Sequence, residues 1–201
     1  MNFLAHLVLA GDDESLRLGA MLGDFVRGRH ALESYPEDIQ SGILLHRHID
    51  SFTDSLPDVA NLRRLFRPPF RRFSGIIIDL AFDHELARNW GRYSEVTLEE
   101  FDRDVRAMLA RHDARVPDGL KRFMAYADRR GLFARYRESS EVLYSLRGVG
   151  SRISRPNPLN RAADIWADLE PRFQASFGFV FRQVQSEVDE WLKSKSTTTG
   201  S

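Results

Sequence analysis

Apolar residues recur three and four positions apart along almost the whole chain. No segment sustains the every-second-residue alternation of a half-buried strand. That period belongs to amphipathic helices, and the chain is predicted to be all-α. Helical segments are expected at about 2–9, 15–27, 36–53, from 57 to just before Pro68-Pro69, and 71–90. Further ones are expected at about 98–111, 118–130, 132–146 and 159–193, with Pro171 breaking or kinking the last. Gly11-Asp12-Asp13, Gly28 and Gly91 supply the stops, and Pro36 and Pro57 the starts. The connections are short, and neither an internal repeat nor a linker divides the chain. One compact helical bundle over 1–193 is expected, followed by a flexible low-complexity tail at 194–201.

At 201 residues with 42% hydrophobic content, the chain can bury a sizeable core without a disulfide, and it contains no cysteine. Thiolate ligands and a cysteine nucleophile are therefore excluded. Acidic and basic residues balance at 29 each, unlike a domain built to hold nucleic acid. No apolar run approaches the roughly 20 residues that span a bilayer. The start, MNFLAHLVLAGDDE, lacks the basic region of a signal peptide and reads as a buried first helix. A cytoplasmic protein with neither membrane nor nucleic-acid partner is expected.

Histidine and aspartate concentrate in the N-terminal half. His6, His30, His46, His48 and His84 lie there with Asp24, Asp50, Asp54, Asp79 and Asp83. Most sit inside predicted helices among apolar residues, where an ionised carboxylate needs a partner or a metal. In GILLHRHIDSFTDSLP, His46, Asp50 and Asp54 are four apart and share one helical face, whereas His48 falls on another. In GIIIDLAFDHELARNW, Asp79 and Asp83 repeat the four-residue spacing, and Asp83-His84 reverses the order of a His-Asp metal dyad. Gly23 beside Asp24 permits close approach. Such mixed nitrogen and oxygen donors suit Mn, Fe, Mg or Zn. Other readings of the single residues stay open: His6 as a satisfied core histidine, Asp54 as a helix cap, Asp79 and Asp83 as partners of arginines.

Arginines 63, 64, 67, 71 and 72 cluster around Pro68-Pro69, and Arg27 and Arg29 follow Asp24. They read either as a solvated face with local ion pairs or as a docking patch for an acidic or phosphorylated partner, with Arg27, Arg63, Arg67 and Arg71 as candidates. A phosphate-binding glycine loop, a dinucleotide fingerprint and a serine triad are all missing.

Taken together, MNFLAHLVLA, LGDFVRG, GILLHRHIDSFTDSLP and IDLAFDHELARNW resemble the acyl carrier protein phosphodiesterase family. The resemblance spans essentially the whole chain and is strongest over 1–90. It implies a helical fold distantly like the HD-domain phosphohydrolases, and removal of 4′-phosphopantetheine from holo-acyl carrier protein to leave the apo form. It also implies a divalent cation, typically manganese, with Mg or Fe as alternatives. The family pattern matches at His6, Asp24, His46, Asp50, Asp54, Asp79, Asp83 and His84. Of these, His6, Asp24, His46, Asp50, Asp79 and Asp83 are the expected metal set. Asp24 and Asp83 are expected to orient water or act as base, and His84 to assist the leaving serine. Two alternatives stand beside this reading: a phosphohydrolase acting on nucleotides or small phosphoesters, and a non-catalytic helical binding protein.

Overall fold

The structure, a computed structural model, describes the backbone of residues 1–130 and 133–198 and the side chains of 1–125 and 133–195. Among the described residues ten α-helices carry the fold: α1 Phe3–Leu9, α2 Glu14–Leu22, α3 Gly28–Leu32, α4 Glu37–Ser55, α5 Pro57–Leu65, α6 Ser74–Arg88, α7 Leu98–Arg111, α8 Asp118–Arg130, α9 Ser139–Arg152 and α10 Ala163–Thr198. Short 3-10 turns join several of them, and the described residues contain no strand.

Local chemistry starts these helices where the sequence suggests. Asp13 caps α2 by accepting a hydrogen bond from the Leu16 amide at 2.9 Å. Pro57 opens α5 at a position where no amide hydrogen is needed. Thr97 and Glu100 form a reciprocal capping box at the head of α7.

Helix α6 is the centre of the assembly. It is buried on nearly all sides, from Ile77 and Ile78 through Phe82 to Leu86, and touches α1, α5, α9 and α10. A helix buried on nearly all sides belongs in the middle of a domain, and its polar side chains then need partners there. Helix α10 lies along α4, α5 and α6 and buries Phe173, Phe177, Val180, Phe181, Val184 and Val188 along one stripe. Among the described residues no helix is long and apolar enough to cross a membrane.

Several expected boundaries move, each for a tertiary reason. The segment expected to be helical over 15–27 ends at Leu22, because the chain turns there and both the Phe25 and Val26 amides donate to the Leu22 carbonyl. Arg47 of α4 clamps this turn by donating to the Val26 carbonyl at 2.8 Å. Asp24 therefore stands on a turn and not on a helix. The segment 71–90 divides into a 3-10 turn at Phe70–Phe73 and α6, and 132–146 into a turn at Ala134–Arg137 and α9. Pro171 does not interrupt α10. Trp166 and Phe173, on either side of it, are buried with rings 5.8 Å apart, and this packing offsets the missing backbone bond. The backbone of α10 runs past the expected start of a flexible tail at 194 to Thr198, and the rest of that tail lies outside the described residues.

The crossing of α2 and α4 is set by two glycines. A Cβ on Gly19 would lie 2.5 Å from the Gly42 Cα, and one on Gly42 would lie 2.5 Å from the Leu16 carbonyl oxygen. Both obstacles are backbone, which cannot rotate aside. Gly42→Ala should therefore separate the two helices and cost about 1–3 kcal/mol. A urea midpoint unchanged from wild type would show that the crossing has slack.

Candidate metal centre

The site begins with the way α1 is held. Asn2 occupies its N-cap position but its side chain makes no capping bond. The cap comes instead from α6, where the buried Asp83 accepts the Leu4 amide at 2.9 Å on one oxygen and the Ala5 amide at 3.1 Å on the other. One turn earlier on α6, Asp79 accepts from the Met1 ammonium at 2.9 Å. Burial pushes the Asp83 carboxyl up to about 7, against the pull of the two amide donors. Asp79 is also raised by burial, although the ammonium opposes this. Burial alone would lower the ammonium, but Asp79 and Asp50 outweigh it and raise it to about 10.

This anchoring delivers His6, one turn into α1, to His46 of α4. The two imidazoles are both buried and stack with centroids 3.9 Å apart and planes 13° apart. Their Nε2 atoms meet the same carboxylate: His6 Nε2 lies 3.0 Å from Asp50 Oδ1, and His46 Nε2 lies 3.3 Å from Asp50 Oδ2. Asp24 adds an oxygen 3.6 Å from His46 Nε2, and the Met1 carbonyl lies 3.2 Å from His6 Nε2.

The His46 ring is fixed from behind. Its Nδ1 donates to the Ala20 carbonyl at 2.8 Å, which turns Nε2 toward the acids. Metal-binding histidines are oriented by this type of contact. Gly23 presses on the ring's other side; a Cβ there would lie 2.1 Å from His46 Cγ. Burial and the neighbouring His46 lower His6 to about 4, so its ring is neutral. For His46 burial acts in the same direction, but Asp24 and Asp50 overcome it and raise the ring to about 9. Burial also disfavours the charged forms of Asp50 and Asp24, yet their contacts with the imidazoles keep both below the usual carboxylate range.

The donor set fits a divalent cation. Ligand atoms of His6, His46 and Asp50 lie within 4.8 Å of one another. The imidazoles are hidden, whereas the side chains of Asp50 and Asp24 are 44% and 57% exposed and face a cavity of about 850 Å³ that Asp79 also lines. Two nitrogens at the back and carboxylates at the front leave one side open to solvent and substrate.

Other expected residues are placed elsewhere. Asp83 has both oxygens committed to α1. His84, adjacent to it, is turned to the far side of α6, with Nδ1 donating to the Tyr136 carbonyl at 2.5 Å and Nε2 lying 3.3 Å from Glu170 and from Ser139. Consecutive helical residues point about 100° apart, so the Asp83-His84 pair forms no dyad. Asp54 pairs with Arg63 at 2.5 Å. His48 pairs with Glu187 of α10 at 2.8 Å, off the shared face as its spacing indicated. Arg27, Arg67 and Arg71 are exposed, and Arg63 is half-buried. Sequence reasoning missed the Ala20 carbonyl and the Met1 backbone, since main-chain atoms carry no residue signature. It also missed Arg122 and Arg152, which line the cavity. Nothing in their local sequence distinguishes them from the other arginines.

Two substitutions test this arrangement. Gly23→Ala should displace the His46 ring and weaken manganese binding by about 10–100-fold while the helical circular dichroism is kept. Wild-type affinity by titration calorimetry would show that His46 does not set the site. Asp83→Ala strands two buried amides and should cost on the order of 3 kcal/mol in chemical denaturation. A loss below about 0.5 kcal/mol, the scale of a surface change, would mean that α1 is capped by other means.

The comparisons agree with the resemblance in the sequence. A family model described as acyl carrier protein phosphodiesterase matches residues 1–184. A protein of that name from Enterobacter sp. (strain 638) is 40% identical over 179 residues, covering 87% of this chain and 89% of the relative. Another from Escherichia coli O6:H1 and one from Escherichia coli O45:K1 are each 39% identical over the same shares. No solved structure matches the chain. A family match over residues 1–184, together with this identity across most of both chains, shows that the protein belongs to the acyl carrier protein phosphodiesterase family.

Proposed function

We propose that this protein hydrolyses the phosphodiester that joins 4′-phosphopantetheine to the serine of holo-acyl carrier protein. The observation that carries the reading is the buried His6–His46 pair, whose Nε2 atoms converge with Asp50 and Asp24 on an open cavity. The name shared by the relatives supplies the substrate.

In this reading His6, His46, Asp50 and Asp24 hold a divalent cation, manganese by preference. The cation supplies Lewis acidity, screening the phosphoryl oxygens and making water more acidic. Asp24 is ionised and exposed on the cavity side, and accepts a hydrogen bond from the attacking water. The water oxygen bonds to phosphorus, the phosphorus–serine oxygen bond breaks, and the serine oxygen takes up a proton. The products are apo-carrier protein and 4′-phosphopantetheine. Asp79 and Asp83 act by positioning α1, and His84 by tying α6 to the Tyr136 turn and α10. The exposed Arg27, Arg67 and Arg71 form the docking face for an acidic carrier protein, while Arg63 is engaged by Asp54.

The test is a mass spectrum of holo-carrier protein after incubation with the protein and manganese, where loss of one phosphopantetheinyl group is expected. Asp24→Asn should stay folded and lose about 10²–10⁴-fold in rate. Undiminished turnover by that variant would remove Asp24 from the chemistry. Turnover of nucleotides or small phosphodiesters that ignores carrier protein would favour the nucleotide reading, and no turnover with bound metal would favour a binding protein. Joint Arg67→Glu and Arg71→Glu substitution should raise KM and leave kcat near wild type, because rim charges act on encounter. An unchanged KM would move the docking face elsewhere.

A further inference from the structure

The cavity in front of the candidate metal centre is lined by groups of both charges. Asp24, Asp50 and Asp79 line it, as do Arg122 of α8 and Arg152 of α9. Both arginines are exposed, and among the described residues neither makes an ion pair. Guanidinium groups left unpaired beside a cleft are poised for a planar anion.

The helices that carry them are shaped for a ligand. On α9, Ser145, Gly148, Val149 and Arg152 follow the i, i+3, i+4, i+7 spacing of one helical face, and all line the cavity. On α8, Gly119, Arg122 and Phe123 do the same. A stripe of this spacing is ordinarily sealed against another helix. Here it lines the cavity instead. Aromatic packing seats α8 against α1 and the turn that carries Asp24: the Phe123 and Phe3 ring centroids are 4.8 Å apart, and a Cβ on Gly119 would meet Phe25 at 2.8 Å.

We propose that this α8–α9 wall is the subsite for the pantetheinyl phosphate arm, with Arg122 and Arg152 gripping its phosphate and the α9 stripe receiving the aliphatic and amide chain. The proposal rests on the phosphodiesterase reading and specifies which residues select its substrate. The chemistry matches in each part. Two guanidiniums meet the phosphate, which gains a second negative charge when the serine leaves. Val149 and Phe123 face the branched aliphatic segment. Ser145 offers a hydroxyl to the amides, and Gly148 adds no side chain to the wall. Grip on the released phosphomonoester also makes the product an inhibitor.

Titration calorimetry with free 4′-phosphopantetheine, pantetheine and inorganic phosphate, in manganese buffer, tests this without turnover. Wild type should bind 4′-phosphopantetheine more tightly than either fragment. Joint Arg122→Gln and Arg152→Gln substitution should weaken 4′-phosphopantetheine about 10-fold or more and leave pantetheine unchanged. Gly148→Leu, with its thermal melt checked, should weaken both pantetheine compounds and spare inorganic phosphate. Inorganic phosphate binding as tightly as 4′-phosphopantetheine, or a double arginine variant indistinguishable from wild type, would overturn the subsite. The outcomes separate the two readings. A protein that cleaves holo-carrier protein but does not bind the free arm overturns the subsite alone. One that binds the arm through these residues but does not cleave overturns the reaction alone.

Discussion

The site depends on two carboxylates of α6 that hold the first turn of a short helix. Asp83 caps α1 from a distance of 79 residues, and Asp79 fastens the ammonium that precedes it. A seven-residue helix has little stability of its own, since helix nucleation is unfavourable and short helices are marginal in water. Its free amides have no local cap, so α6 must provide one. His6 lies one turn beyond that cap, and its position against His46 follows from the angle at which α1 is held. These two carboxylates of α6 therefore act on the candidate metal centre through the backbone of another helix.

The electrostatics of the centre follow from the same geometry. Two imidazoles stacked at 3.9 Å cannot both be charged away from water. Only His46 is raised, because Asp24 and Asp50 face its Nε2, and His6 is left neutral by burial. The arrangement thus places nitrogen donors and ionised oxygens around one small volume, with the hydrophobic shell behind and the solvent in front. Hydrogen bonding from His46 Nδ1 to the Ala20 carbonyl turns the ring's other nitrogen outward, and Gly23 makes room for it. The α2–α4 crossing, tightened by Gly19 and Gly42, is what brings the Ala20 carbonyl to α4.

Much of this was legible from residue spacing, and the exceptions have physical causes. The i, i+4 pairs His46–Asp50 and Asp79–Asp83 do share helical faces, as their periodicity requires. What those faces meet is a property of packing: Asp50 faces a cavity while His46 behind it is buried against the Ala20 carbonyl, and Asp83 faces the end of α1. Asp24 was read on a helix because its neighbours are apolar, yet the Arg47 clamp and the Leu22 carbonyl close a turn around it. His84 was grouped with Asp83 because adjacency in sequence resembles a dyad, but the helix sends the two side chains to different neighbours.

By itself the sequence determined the helical class, the approximate extent of most helices, and the His/Asp inventory from which a cation site can be built. These follow from local rules: hydrophobic period, caps, prolines, and the cost of burying unpaired acids. Only the tertiary structure decided which acids meet the two imidazoles, which acid caps a helix, and which arginines face the cavity in front of them. Those choices depend on where α1, α8 and α9 lie relative to α4 and α6. Side-chain period tells which residues share a face, but the partner of that face is chosen by packing between segments distant in the chain.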